Sequence, residues 1–198
     1  MAVADGATTP AGGAVGALLW STTVGGYMYW TGTAWLRLRP YTLNAQLTAT
    51  QLITGITTAV VTGMSYSLPA GGAMDLLAIL GGVISATTSG HVIGIQIVNP
   101  SGSGGAVTGV YAGEVAVTSA AAATQLFGGG MVSVAAAATT LFEIAGTASV
   151  AGTNMARLTA MLKNNSTVPV TVNVTSRTTT AAITNTLQIG SSSRAMVS

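Results

Sequence analysis

The sequence predicts an all-β protein, a jelly-roll-like β-sandwich preceded by an extended N-terminal arm and a small β-ribbon. Three observations carry that expectation. Val168, Val170, Val172 and Val174 alternate with Pro169, Thr171, Asn173 and Thr175, which gives one apolar face at the two-residue period of a strand. From Tyr41 onward, short β-rich runs are separated by turn clusters at Pro69–Gly72, Asn99–Gly105, Gly128–Gly130, Gly152 and Asn164–Thr167. Helix-forming composition is confined to Ala120–Ala123 and Ala135–Ala138, each too short for a stable helix and read as a loop or strand end. Turn spacing longer than a hairpin meander uses makes some strands long or bent, and many short strands with few helices in a chain of 198 residues point to a β-sandwich of the jelly-roll kind.

Residues 1–17 are mainly Ala, Gly and Thr and bury too little apolar surface to fix themselves, so a flexible arm is expected there. The character changes at Leu18. The runs LLWSTT, VGG and YMYWTGTAWLRLR read as a three-stranded ribbon over 18–40, turning at Gly25–Gly26 and again at Thr31–Thr33, with Pro40 beginning the connection to a main domain over 41–198. In that domain the strands are expected near 58–68, 73–84, 91–98, 106–119, 125–134, 139–150, 155–163, 168–175 and 183–189. His91, Ile93, Ile95 and Ile97 share one face of the third of these, and Leu158, Ala160 and Leu162 mark the buried side of the seventh.

Charged residues are 5% of the chain against roughly 25% in ordinary soluble proteins, whereas the hydrophobic fraction of 49% is average. Thr, Ser, Asn and Gly stand where Lys and Glu usually do. That balance excludes a disordered chain and disfavours a free monomer, whose surface is normally about a quarter to a third charged. The six basic residues are Arg37, Arg39, Arg157, Lys163, Arg177 and Arg194, scattered without a stripe, so nucleic acid is not an expected partner despite a sequence pI near 9.3. No secretory signal is visible. The best membrane candidate, Ala73–Ile84, is interrupted by Asp75 and a Gly pair and is shorter than the roughly 20 residues a span needs, so no membrane is expected either.

The inventory for catalysis is small. Asp5, Asp75, Glu114 and Glu143 lie far apart, and His91 has no neighbouring ligand at metal-site spacing. Cysteine is absent, which removes disulfides, thiol nucleophiles and Cys-based zinc sites. No catalytic residue, metal or cofactor is expected, and the protein is not expected to be an enzyme. His91 should open its strand facing solvent or a neighbouring subunit. The acids within apolar runs should pair with Arg157, Lys163 or Arg177, because an unpaired buried charge is costly.

Aromatic residues are the one concentrated feature. Trp20, Tyr27, Tyr29, Trp30 and Trp35 make five of the three Trp, five Tyr and two Phe in the chain. A ribbon this small has little core of its own, so these residues, flanked by Arg37 and Arg39, are expected to anchor on a partner, as Trp and Tyr do at interface hot spots. A carbohydrate platform is the other reading.

The segment GALLWSTTVGGYMYWTGTAWLRL resembles a motif of tailed-bacteriophage fibres and other virion proteins, in which an aromatic strand, a turn and an aromatic-Gly-x-x-Trp strand form a ribbon. Residues 58–189 resemble phage structural proteins through Thr62–Gly72 and Ile144–Thr153, with Thr175, Ser176 and Arg177 where those proteins often carry a Gly-Ser pair. The resemblance implies a virion protein assembled in the host cytoplasm, a homotrimer that decorates or cements the capsid against the major capsid protein or other virion proteins. It equally admits a short tail fibre or receptor-binding module that recognises host glycan.

Overall fold

A computed structural model describes residues 4–5, 14–21, 26–30, 32–33, 35–37, 41–85, 89–101, 104–118, 123–146 and 152–198. Every regular element among them is a strand, and the chain divides into two compact units, residues 1–42 with 196–198 and residues 43–195.

The N-terminal unit holds β1 (Ala4–Asp5), β2 (Leu18–Ser21), β3 (Gly26–Trp30) and β4 (Trp35–Arg37), side by side in that order. β2, β3 and β4 are the expected antiparallel ribbon. β1 adds a fourth strand, parallel to β2, with Ala4 opposite Leu19 and Asp5 opposite Trp20. Within the 1–17 segment, backbone pairing with β2 supplies an order at Ala4–Asp5 that composition does not.

Next along the chain come β5 (Tyr41–Gln46), β6 (Gln51–Thr54), β7 (Ala59–Leu68), β8 (Ala73–Ile84), β9 (His91–Val98), β10 (Val107–Thr118), β11 (Ala123–Val134), β12 (Thr139–Ala145), β13 (Gly152–Asn164) and β14 (Val170–Thr178). The chain ends with β15 (Thr184–Leu187) and β16 (Ser192–Val197). β7 to β14 pair as four nested hairpins: β10 with β11, β9 with β12, β8 with β13, and β7 with β14. Further pairing of β10 with β13 and of β14 with β9 closes the roll. The result is a smaller sheet ordered β12-β9-β14-β7 and a larger one containing β11-β10-β13-β8, which is the two-Greek-key jelly roll. β15 and β6 continue the larger sheet beyond β8, and β16 pairs with both β8 and β5. The sequence reading did not anticipate β5, β6 or β16.

Strand periodicity builds the core. Even-numbered residues of β8 and β13, among them Leu76, Leu80, Leu158 and Leu162, are buried, as are Ile93, Ile95 and Ile97 of β9 and Val170, Val172 and Val174 of β14. Each large apolar side chain removed from water in this way contributes roughly 1.5–3 kcal/mol before conformational entropy is charged against it.

Polar residues close the loops. Asn164, buried at the end of β13, donates from Nδ2 to the carbonyls of Leu68, Pro69 and Val168, and its Oδ1 accepts from the backbone and hydroxyl of Ser166. Asn99 donates to the carbonyls of Gly105, Val134 and Ala135. The Ala135–Ala138 run is a turn, as expected, with Ala137 at φ 59°.

Candidate functional site

In the ribbon the register places Trp20 opposite Tyr27, Leu18 opposite Tyr29, Trp30 opposite Trp35 and Met28 opposite Arg37. Side chains alternate between faces along a strand, so Met28 and Trp30 project to one side of β3 and Tyr27 and Tyr29 to the other. Leu19 and Met28 are buried, Tyr29, Trp30 and Trp35 are half-buried, and Tyr27 is exposed. The Trp30 and Trp35 rings stack at a tilt, with centroids 5.4 Å apart and planes at 51°. Gly32, at φ +100°, turns the chain between those two strands in a backbone conformation that glycine adopts without strain. The four aromatics Tyr27, Tyr29, Trp30 and Trp35 are thus divided by β3 between two faces, with the tryptophan pair on the side of Met28. Arg39 lies outside the described residues.

His91 is where expectation and structure part. It is fully buried, not turned to solvent or a neighbour, and its Nε2 lies 3.0 Å from Ser176 Oγ, with Asn154 beside the ring. Burial holds the imidazole neutral and pushes its pKa from 6.5 down to about 4, with the neighbouring Asn154 amide opposing that shift. The reason for the location is register: His91 continues the row of Ile93, Ile95 and Ile97, whose side of β9 faces the core. Asn154 Nδ2 donates to Asn185 Oδ1 at 3.3 Å, and a Cβ on Gly82 would lie 2.4 Å from that same oxygen. The glycine makes room for a polar layer joining β9, β13, β14 and β15. Sequence inspection could have found this layer by noting that His91, Asn154, Ser176 and Asn185 each stand at the end of an apolar row.

The acids divide as well. Arg177 on β14 grips Glu143 on β12 through two bonds, Nε to Oε1 at 2.8 Å and Nη2 to Oε2 at 2.7 Å. β12 and β14 flank β9, so the pair reaches across the intervening strand. Gly94 lies between Glu143 and Thr175, and a Cβ there would meet Phe142 O at 2.7 Å and Glu143 Cγ at 3.0 Å. The neighbouring carboxylate raises the already high Arg177 pKa, chiefly through the hydrogen bonds it accepts. On the larger sheet, Glu114 stands directly opposite Arg157. Asp75 is exposed opposite Met161. Among the described residues no three His, Asp or Glu side chains gather as a metal site, and no helix is long and apolar enough to cross a membrane.

The outer face of the larger sheet is the feature sequence reading missed. Phe127, Met131 and Met161 are 73%, 84% and 60% exposed there, accompanied by Val110, Met155 and Ile79. In register these residues form rows across four strands: Phe127–Glu114–Arg157–Ile79, then Gly129–Ala112–Thr159–Leu77, then Met131–Val110–Met161–Asp75. A cavity of about 290 Å³ opens between Phe127, Glu114, Arg157 and Thr159, floored by Ala112 and two glycines.

No family model matches the chain, and no curated protein matches it. Among solved structures, that of infectious bursal disease virus Gx strain aligns over 87% of this chain and 47% of its own at 10% identity, with a TM-score of 0.28. The crystal structure of the infectious bursal disease virus VP2 subviral particle aligns over 87% and 48% at 12% identity, with a TM-score of 0.19. The chain spans about half the length of these structures.

Proposed function

We propose that the protein is a structural component of a virion that assembles with copies of itself and with other virion proteins. The observation that carries this reading is the outer face of the larger sheet, where side chains as apolar as Phe127 and Met131 stand in water on a chain with only 5% charged residues. Large apolar side chains gathered on one exposed sheet face mark an association site, because covering them releases water. The finer form of the proposal is a trimeric capsid decoration or cement protein, attached to the shell through residues 1–40. The trimer and the capsid location derive from the resemblance of the ribbon to phage virion motifs. The tryptophan pair supplies the anchor chemistry.

We assign no catalytic role. His91 and Ser176 have the partner types of a base and a nucleophile, but both are buried in the sandwich, which leaves a substrate no approach. The test is to deplete particles of the protein and measure genome retention on heating alongside adsorption to the host. Loss of heat resistance with normal adsorption is the expected result, since a protein that binds the assembled shell stabilises it by linkage. Normal heat resistance with failed adsorption would instead assign the chain to a receptor-binding fibre.

A further inference from the structure

We propose that the outer face of the larger sheet is an isologous surface on which a second copy of this chain packs face to face, about a two-fold axis parallel to the strands and lying between β10 and β13. The inference rests on the assembly reading above and deepens it by naming the surface and the partner.

Rotation about such an axis preserves height along the strands and reverses their order, so β11 of one copy lies over β8 of the other and β10 over β13. The first two rows are complementary under that operation. In the first row Glu114 falls over Arg157 of the second copy and Phe127 over Ile79, so the two acids and two bases alternate around the axis. In the second row Gly129 falls over Leu77 and Ala112 over Thr159, setting small residues against larger ones. In the third, Val110 falls over Met161 and Met131 over Asp75. The cavity beside Phe127 lies over β10, where the second copy's Arg157 and Thr159 arrive, which supplies a recess for them.

Of the other two charges on these strands, Lys163 near the end of β13 falls in the last row, toward the rim, and Asp75 on β8 lies beneath Met131 of the second copy. With one further row on each side, Gln125–Ala116–Met155–Gly81 and Ser133–Thr108–Lys163–Ala73, five rows across four strands span roughly 27 by 15 Å between their outermost residues, and about 4 Å of side chain on every edge brings the face near the roughly 800 Å² per partner of a stable interface. A three-fold contact elsewhere on the protein is compatible with this one, since copies on a shell meet neighbours across more than one axis.

The chain contains no cysteine, so introduced thiols report alone. Full-length Phe127→Cys and Ile79→Cys variants, both at exposed positions, are purified, checked for native circular dichroism, and treated with a short bismaleimide separately and mixed. The mixture is expected to give a crosslinked dimer at least fivefold above either variant alone. Met131→Cys with Asp75→Cys should behave in the same way, while the mismatched mixture of Phe127→Cys with Asp75→Cys should not. Equal crosslinking in matched and mismatched mixtures, or none in both matched mixtures, overturns the proposal. Absence of the protein from purified particles would sink the virion reading and leave these crosslinks unaffected, so the two failures are told apart.

Discussion

Acidification should destabilise this protein through one side chain. His91 is the single histidine, and its pKa falls from 6.5 to about 4 when the sandwich closes over it. The unfolded chain takes up a proton first as the pH drops, and the folded state resists it. Stability is therefore full above about pH 6.5 and is lost as the pH falls toward 4. One unit of pKa difference is worth about 1.4 kcal/mol, so the folded state should lose about 2 kcal/mol between pH 7 and pH 5 and about 3 kcal/mol by pH 4. That is a large share of the roughly 5–15 kcal/mol that holds a domain together.

Ordinary carboxylates titrate near 4, so the interval from pH 6.5 to 5 isolates the histidine. The assay is urea unfolding followed by circular dichroism at half-unit pH steps and fixed protein concentration. His91→Gln, which keeps a neutral polar group beside Ser176, should start less stable and show a nearly flat profile over the same interval. A wild-type stability unchanged between pH 7 and 5 would refute the reasoning, as would a His91→Gln variant with the wild-type slope.

Two other substitutions probe how the fold is held. Asn164→Ala deletes a side chain that satisfies three carbonyls and the Ser166 backbone N–H, and should cost roughly 3 kcal/mol in the same urea assay at pH 7. Gly94→Ala pushes a methyl group against Phe142 O and Glu143 and should cost roughly 1–3 kcal/mol; thermal melts no lower than wild type would show that Glu143 and Arg177 yield without loss.

Much of the fold is legible in the sequence because strand formation is local. Alternation at 168–175 and 91–98, Gly and Pro at the turns, and the absence of long helix-forming runs lead to the expected strands over 73–84 and 91–98, which the structure reproduces with those limits. β16, Ser192–Val197, escaped notice because half its residues are polar, and it is a strand through pairing with β8 and β5. β1 is too short to be read from two residues and exists through its neighbour β2.

The site is less legible than the fold. The aromatic concentration in 18–40 is plain in one dimension, yet its division between two faces depends on register, which only pairing sets. A lone histidine at a strand start looks exposed, and it is buried because the opposite sheet covers the row it belongs to. The pairing of Glu143 with Arg177 was one of several charge combinations the sequence allowed; topology selected it by placing β12 and β14 on either side of a glycine. Composition by itself determined that the chain would be rich in strand and poor in charge. Which apolar residues remain outside was decided by tertiary structure alone, because a strand buried on both faces and a strand buried on one can share the same alternation, and only the second sheet determines which side of Phe127, Met131 and Met161 meets water.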